Sequence, residues 1–470
     1  MVLPPHFLYI EGMDFRPTLQ LACNEALRYL ENLDRTTVAP IADLATLRSR
    51  LAKPLGDAGS PPEQVIADLI RDSDGGHLAC AGGRFFAWVI GGALPSALAA
   101  DWLISAWDEN CTLYASGPAT AVMEETAGAW LKDILGLPAG ASFGFVTGCQ
   151  MAHTTCLAAA RHAVLAAHGW DVEDRGLSGS PPIRVLSSDQ RHGTIERSLR
   201  LLGLGRHCVC DIPVDDSGRL PADRLRAALQ ESRGMPAIVL LQAGDLNIGA
   251  YDSFETLIPL AHEHGAWVHV DGAFGLWAAA SPRHRHLLRG ADQADSWATD
   301  GHKWLNVPYD CGYAFVADAK PHRAAMSHRE PYLTHAAEGR DALDYTPEWS
   351  RRGRGVATYA ALRQLGRAGV AEIVERCCRH ARRLVNGIGA LQGAEVLWEP
   401  AINQGLVRFG NDDRTDRMVQ EIVASGEAYF GATTWRGVRA MRVSVCNWRT
   451  TDEDIDRAIS AVSGVLRSGE

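Results

Sequence analysis

The feature that most constrains this chain is an alternation that runs from about residue 140 to residue 320. Short apolar runs end in glycine-containing or polar turns, and stretches with helical periodicity separate them. The strand-like runs are Phe143–Thr147, Ile183–Ser188, Ile238–Gln242, Ala266–Val270 and Gly312–Val316. Strands that alternate with helices fold into a mostly parallel sheet with helices on both faces. In such an open α/β sheet, ligands bind outside the carboxyl ends of the strands. The residues just beyond these ends are therefore the first candidates for function.

The stretch Trp297–Pro308 reads as a tight loop that carries Lys303 among residues that bury, namely Trp297, Trp304, Leu305 and the run Gly312–Val316. Burial lowers the pKa of a lysine and frees its lone pair to attack a carbonyl. The alternative is an ordinary loop lysine paired with Asp300 or Asp310. Upstream, Asp271 falls at the end of Ala266–Val270. A lysine for the aldehyde and a carboxylate that keeps the pyridinium nitrogen protonated are the two parts a pyridoxal 5'-phosphate (PLP) site requires. Farther upstream, the Phe143–Thr147 strand turns at Gly148 into a helix over about Met151–Ala167. Free N–H groups and the helix dipole make such a turn a site for the cofactor's phosphate. His192 also falls just past a strand, and Asp245 and Leu246 follow the glycine after Ile238–Gln242.

With His302-Lys303-Trp304, Asp271 upstream and Asp310-Cys311 downstream, the sequence resembles the group II PLP-dependent amino-acid decarboxylases, which include the aromatic-L-amino-acid, tyrosine, histidine and glutamate enzymes. The resemblance runs from about Phe85 to Trp448. It implies an α/β chain of the fold type I, aspartate-aminotransferase-like class, with a mostly parallel seven-stranded sheet. It implies a helical N-terminal segment over 1–80 that packs on a partner subunit, a large PLP-binding domain over 81–350 and a small α+β domain over 351–470. By the same resemblance Lys303 holds PLP, Asp271 meets the ring nitrogen, His192 stacks on the ring and could move a proton, and His302 adjoins the cofactor. Cys149 and Gln150 fall at the phosphate, where relatives carry glycine or small hydroxylated residues, so backbone rather than side chains is expected to hold it. Tyr332, in a surface loop over 320–350, matches a tyrosine that closes over the cofactor, usually from the neighbouring subunit, and could protonate the carbon that loses CO2.

The implied reaction is decarboxylation of an L-amino acid to an amine and CO2 in a homodimer with shared sites. Aldehyde formation or transamination are the alternatives on the same fold. Phe86 and Trp88, between the glycine pairs Gly82-Gly83 and Gly91-Gly92, fall on one side of the chain if that run is extended. They form either one wall of the substrate pocket or an interface staple, and their aromatic character favours an aromatic substrate. Arg351 or Arg352 is the candidate receiver for an acidic substrate instead.

The net charge of −10 argues against a nucleic-acid partner, since no basic excess exists to neutralise phosphates. Eleven scattered cysteines without a C-x-x-C pair suit a reduced, cytoplasmic protein. The N-terminus lacks the pattern of a signal peptide, and no apolar run is long enough to span a membrane. A metal hydrolase built on His262, His264, His269 and Asp271 is disfavoured because the H-E-x-x-H spacing is missing, and no metal is expected. A non-catalytic scaffold would have no use for Lys303, Asp271 and His192 together.

Overall fold

The computed structural model describes residues 14–328, 330, 335 and 339–468. Its centre is a seven-stranded sheet built from β1 (Ser142–Val146), β2 (Arg184–Ser188), β3 (Val209–Ile212), β4 (Ala237–Gln242), β5 (Trp267–Asp271), β6 (Ser296–Asp300) and β7 (Gly312–Val316). The spatial order is β1-β7-β6-β5-β4-β2-β3. The pairs from β6 through β5, β4 and β2 to β3 are parallel, and β7 runs antiparallel to both of its neighbours. Every residue of β1, β4, β6 and β7 is buried, as expected for strands with helices on both faces.

Two of these strands go beyond the sequence expectations. β3 is an edge strand with only Ile212 buried, so its hydrophobic signal is weak. β6 occupies the start of the stretch expected to be a loop. Its Ser-Trp-Ala-Thr-Asp composition hides a fully buried strand, because tertiary partners take up its hydroxyls. Ser296 Oγ accepts a hydrogen bond from Trp267 Nε1 at 2.9 Å, and Thr299 Oγ1 donates to Ala273 O at 3.4 Å.

A second, antiparallel sheet contains β8 (Glu395–Trp398), β9 (Gln404–Arg408), β10 (Gly431–Trp435) and β11 (Val438–Ser444), in the order β10-β11-β9-β8. The helix Asp412–Ala424 packs on it, and the helix Asp452–Ser468 packs on Asp412–Ala424. The helix Asp452–Ser468 begins with Thr451 Oγ1 accepting from Asp454 N at 3.2 Å and carries three acidic residues in its first turn, so cap and dipole agree. The helix Gly355–Gly389 joins the two sheets. It breaks at Gly366, whose φ of 59° is one that glycine adopts without strain. Its first half stacks Tyr359 on Trp130, and its second half places Gly389 against Val396.

The Gly82–Gly92 segment is not extended throughout. Trp88 and Val89 have φ of 55° and 58°, which turns the chain there. Phe86 and Trp88 therefore do not share a side. Phe86 is fully buried and stacked on Phe430 at 5.3 Å, and Trp88 remains half exposed. The following glycine serves a backbone contact: a Cβ on Gly91 would come within 2.0 Å of Lys303 O. Gly92 N donates to Asn306 Oδ1 at 2.7 Å, and the same oxygen accepts from Trp448 N at 3.0 Å. Asn306 thus ties the lysine loop to both neighbouring segments.

At the N-terminal end, the helices Phe15–Asn32 and Leu44–Leu51 bury no residue. Phe15 is 80% exposed and Leu19 61%.

Candidate active site

A cavity of about 340 Å³ opens beyond the carboxyl ends of the central strands. Gln242 ends β4, Asp271 ends β5 and Asp300 ends β6, and all three line it. Lys303, His302, His192, Cys149, Gln150 and Trp88 line it as well. One fold rule therefore gathers most of the residues named from sequence. Phe86 is absent from this lining, because it belongs to the core. Tyr332 lies outside the described residues.

Lys303 Nζ sits 2.9 Å from Asp300 Oδ2. Burial alone would pull the amine's pKa down, but Asp300, with Asp271 farther off, outweighs it and holds the amine above its ordinary value. The sequence expectation of a lowered pKa is thus corrected: a carboxylate in contact wins over desolvation. Asp310, the other proposed partner, is taken by Arg354 Nε at 2.8 Å. Asp300 has two further partners. Its Oδ1 accepts Cys149 N–H at 2.6 Å and lies 3.4 Å from His302 Nε2. His302 Nδ1 accepts Cys311 N–H at 3.2 Å, which assigns the ring proton to Nε2, on the side of Asp300. Burial lowers the pKa of His302, and its ring stacks on Tyr309 at 4.1 Å.

Asp271 has no such cation beside it among the described residues. Its Oδ1 accepts Ala273 N–H at 3.1 Å and lies 3.5 Å from His153 Nε2. Burial works against ionisation, yet His153, His192 and the Ala273 N–H together keep the carboxyl well below the usual range. Behind it runs a buried chain: His153 Nδ1 meets His269 Nε2 at 2.9 Å, and His269 Nδ1 meets Ser296 Oγ at 2.9 Å. Burial, reinforced by His153, pushes His269 down to about 3, so its ring is neutral at pH 7.

The helix Cys149–Ala166 points its first turn into the cavity through Cys149 and Gln150. His192 caps the helix Gly193–Leu201, with Nδ1 2.8 Å from Thr194 Oγ1. Burial of the ring's inner side lowers its pKa. Asp245 turns away from the cavity: Oδ1 accepts the N–H groups of Asn247 and Ile248 at 2.9 and 2.8 Å. Arg351 is fully buried against Glu124 at 2.8 Å, and Arg352 pairs with Asp101 at 2.7 Å. Neither lines the cavity.

The histidines of the metal-hydrolase alternative are scattered. His262 meets Asp295 at 3.0 Å, and His264 Nδ1 meets Leu260 O at 3.0 Å. His269 faces His153 and Ser296 instead of joining Asp271. Sequence reasoning did not single out His153, Gln242, Thr194 and Phe274. The only available signal was the four-residue spacing of Cys149 and His153, which puts both on one helix face.

These residues fit PLP. The anionic Asp271, met by imidazole but paired with no Lys or Arg among the described residues, suits a pyridinium nitrogen. Lys303 can reach an aldehyde in the same cavity, and the helix N-terminus can take a phosphate.

Comparison with known proteins agrees. Residues 65–410 match the model described as the pyridoxal-dependent decarboxylase conserved domain. The chain is 27% identical over 469 residues to an aromatic-L-amino-acid decarboxylase of Bacillus atrophaeus, covering 95% of this chain and 94% of that protein. It is 27% identical over 365 residues to the acidic amino acid decarboxylase GADL1 of Bos taurus, covering 75% of this chain and 68% of that one. Among solved structures, Oryza sativa TDC with PLP and tryptamine superposes with a TM-score of 0.91 at 23% identity, covering 98% of this chain and 99% of that one. At that identity the likeness shows the fold, which is fold type I. With the family match covering well over half of the sequence, the chain belongs to the pyridoxal-dependent decarboxylases and is a PLP-dependent carboxy-lyase that acts on an amino acid.

Proposed function

We propose that the substrate is an aromatic L-amino acid, that the product is the corresponding amine, and that the working unit is a homodimer with shared sites. The observation that carries the substrate reading is the chemistry of the cavity wall. Trp88, Val89, Leu246 and Phe274 offer apolar surface beside Lys303, while both arginines considered for an acidic side chain are held by Glu124 and Asp101. A flat apolar side chain gains from such a wall, whereas a second carboxylate would find no dedicated cation there among the described residues.

When bound, PLP supplies an electron sink for the bond broken at the substrate's α-carbon. Asp271 keeps the ring nitrogen's counter-charge in place, and its burial makes that charge effective. Lys303 would hold the aldehyde, and Asp300 Oδ2, 2.9 Å from the amine, would set how readily that amine gives up its proton. His192, which lines the same cavity, would cover the ring and fix its plane. The first turn of the helix Cys149–Ala166, at Cys149 and Gln150, holds the phosphate through backbone N–H groups, and His302 steadies Asp300. By its match to the family's loop tyrosine, Tyr332 is the residue that would give the α-carbon the proton that replaces CO2. The uncovered apolar faces of Phe15–Asn32 and Leu44–Leu51 form the partner-facing arm.

Screening the twenty amino acids for CO2 release, with products identified by mass spectrometry, tests this reading. Aromatic substrates giving amine support it. Preference for glutamate or aspartate overturns the substrate assignment, and aldehyde with ammonia and peroxide overturns the product assignment.

A further inference from the structure

Cys149, His153 and Asp271 form a buried group whose donor atoms all lie within 4.8 Å of one another. The fold of a PLP site accounts for Asp271 but does not require a thiol and an imidazole beside it. Cys149 Sγ is 3.4 Å from His153 Nε2, which is 3.5 Å from Asp271 Oδ1. A tetrahedral ion with bonds of 2.0–2.3 Å has ligand-to-ligand edges of about 3.3–3.8 Å. Two edges already fit, and the third needs to close by no more than about 1 Å. Cys149 and Asp271 border the cavity while His153 sits behind them, so the fourth corner faces the cavity.

The surroundings suit a metal-binding histidine. One arrangement of the chain has His153 Nδ1–H donating to His269 Nε2 and His269 Nδ1–H donating to Ser296 Oγ. Without an ion, Nε2–H faces the Asp271 carboxylate; the arrangement with the lone pair at Nε2 is the one an ion lying between His153, Asp271 and Cys149 would select. A second hydrogen-bonded group that fixes the ring is the usual support of a ligating histidine. Lys303 acts on Cys149 from the cavity, and Asp300 offsets its charge at 2.9 Å. His192 is the other titratable group that acts on Asp271 from the cavity side.

We propose that Cys149, His153 and Asp271 bind a thiophilic divalent cation such as Zn2+ when PLP is absent, and that the ion and PLP exclude one another. Binding forms three metal–ligand bonds and releases the thiol proton to solvent; no electrons are transferred. A cavity water fills the fourth corner. Exclusion follows because the ion would neutralise Asp271 and occupy the space into which a pyridinium nitrogen must come. Metal binding stands independently of the assigned reaction, while the exclusion rests on the PLP site described above.

The test uses the full-length protein stripped of PLP, with Co2+ as an optical stand-in for Zn2+ and equilibrium dialysis for Zn2+ itself. The expected results are one ion per chain, a thiolate-to-cobalt charge-transfer band, and at least about a hundredfold weaker binding in both Cys149→Ser and His153→Gln. Adding PLP, followed by the absorbance of the bound cofactor, should release the ion. Cobalt bound without the thiolate band, or bound equally by Cys149→Ser, overturns the site. Metal retained at full occupancy alongside bound PLP overturns the exclusion. Because PLP uptake is measured separately on metal-free protein, its failure would speak against the PLP assignment and leave the metal result standing. Cys149→Ser keeps the steric fit of the buried position, so the result does not depend on His153→Gln folding normally.

Discussion

Asp271 and Asp300 end adjacent parallel strands and border the same cavity, yet they are handled in opposite ways. Asp300 is matched: an ammonium, an imidazole and a backbone N–H converge on it. Among the described residues, Asp271 meets an N–H and an imidazole edge, with a second histidine behind that. A buried carboxylate without a cation costs free energy that folding alone does not recover. Such a group marks the place where a positively charged ligand belongs. The matched carboxylate holds the Lys303 amine in its protonated form.

Substitutions can break this contrast. Lys303→Ala should have the largest effect, lowering turnover by at least about a thousandfold and abolishing any hydride-trapped cofactor at position 303 by mass spectrometry. Persisting trapped label would move the anchor elsewhere. Asp271→Asn removes the charge that no described Lys or Arg of the protein matches, and kcat should fall by roughly 10²–10³-fold with a shifted spectrum of the bound cofactor. A small change there would mean that the charge at Asp271 contributes little.

The histidine behind Asp271 gives a pH signature. His269 has a folded pKa of about 3 against an unfolded value near 6.5, so the unfolded chain binds a proton that the folded chain refuses between those values. Stability should therefore fall as the pH drops from about 6.5 toward 3, with this group contributing up to about 1.4 kcal/mol per pH unit. Denaturant titrations of the cofactor-free protein should show a shallower slope for His269→Gln, and an unchanged slope would clear this residue.

The smallest effect should come from Asp300→Asn. Its loss lowers the Lys303 pKa and removes an anion facing the helix N-terminus, so cofactor association near neutral pH should quicken by about tenfold, with its pH profile moved toward lower pH. Stopped-flow absorbance would reveal an unmoved profile if the ion pair does not control the amine.

Much of this was legible in the chain itself. Asp271, His192 and the Gly148 turn follow from one rule about strand ends, since local strand composition fixes where those ends fall, and Lys303 was marked by the burying residues around it. β6 was not legible, because Ser296 and Thr299 reduce its apolar signal and are satisfied only by Trp267 and Ala273 across the fold. The separate fates of Phe86 and Trp88 were hidden too, because the positive φ at Trp88 and Val89 falls on residues that do not favour it and so leaves no local signal.

Sequence by itself determined the α/β order and the chemical pieces, because hydrophobic periodicity and residue type are local properties. Only the tertiary structure decided how the charges are paired. It set Asp300 rather than Asp310 against Lys303, committed Arg351 to Glu124, and brought Cys149 and His153 to Asp271. Such pairings depend on distances of a few ångströms between residues far apart in the chain, and electrostatic strength depends on that separation and on burial.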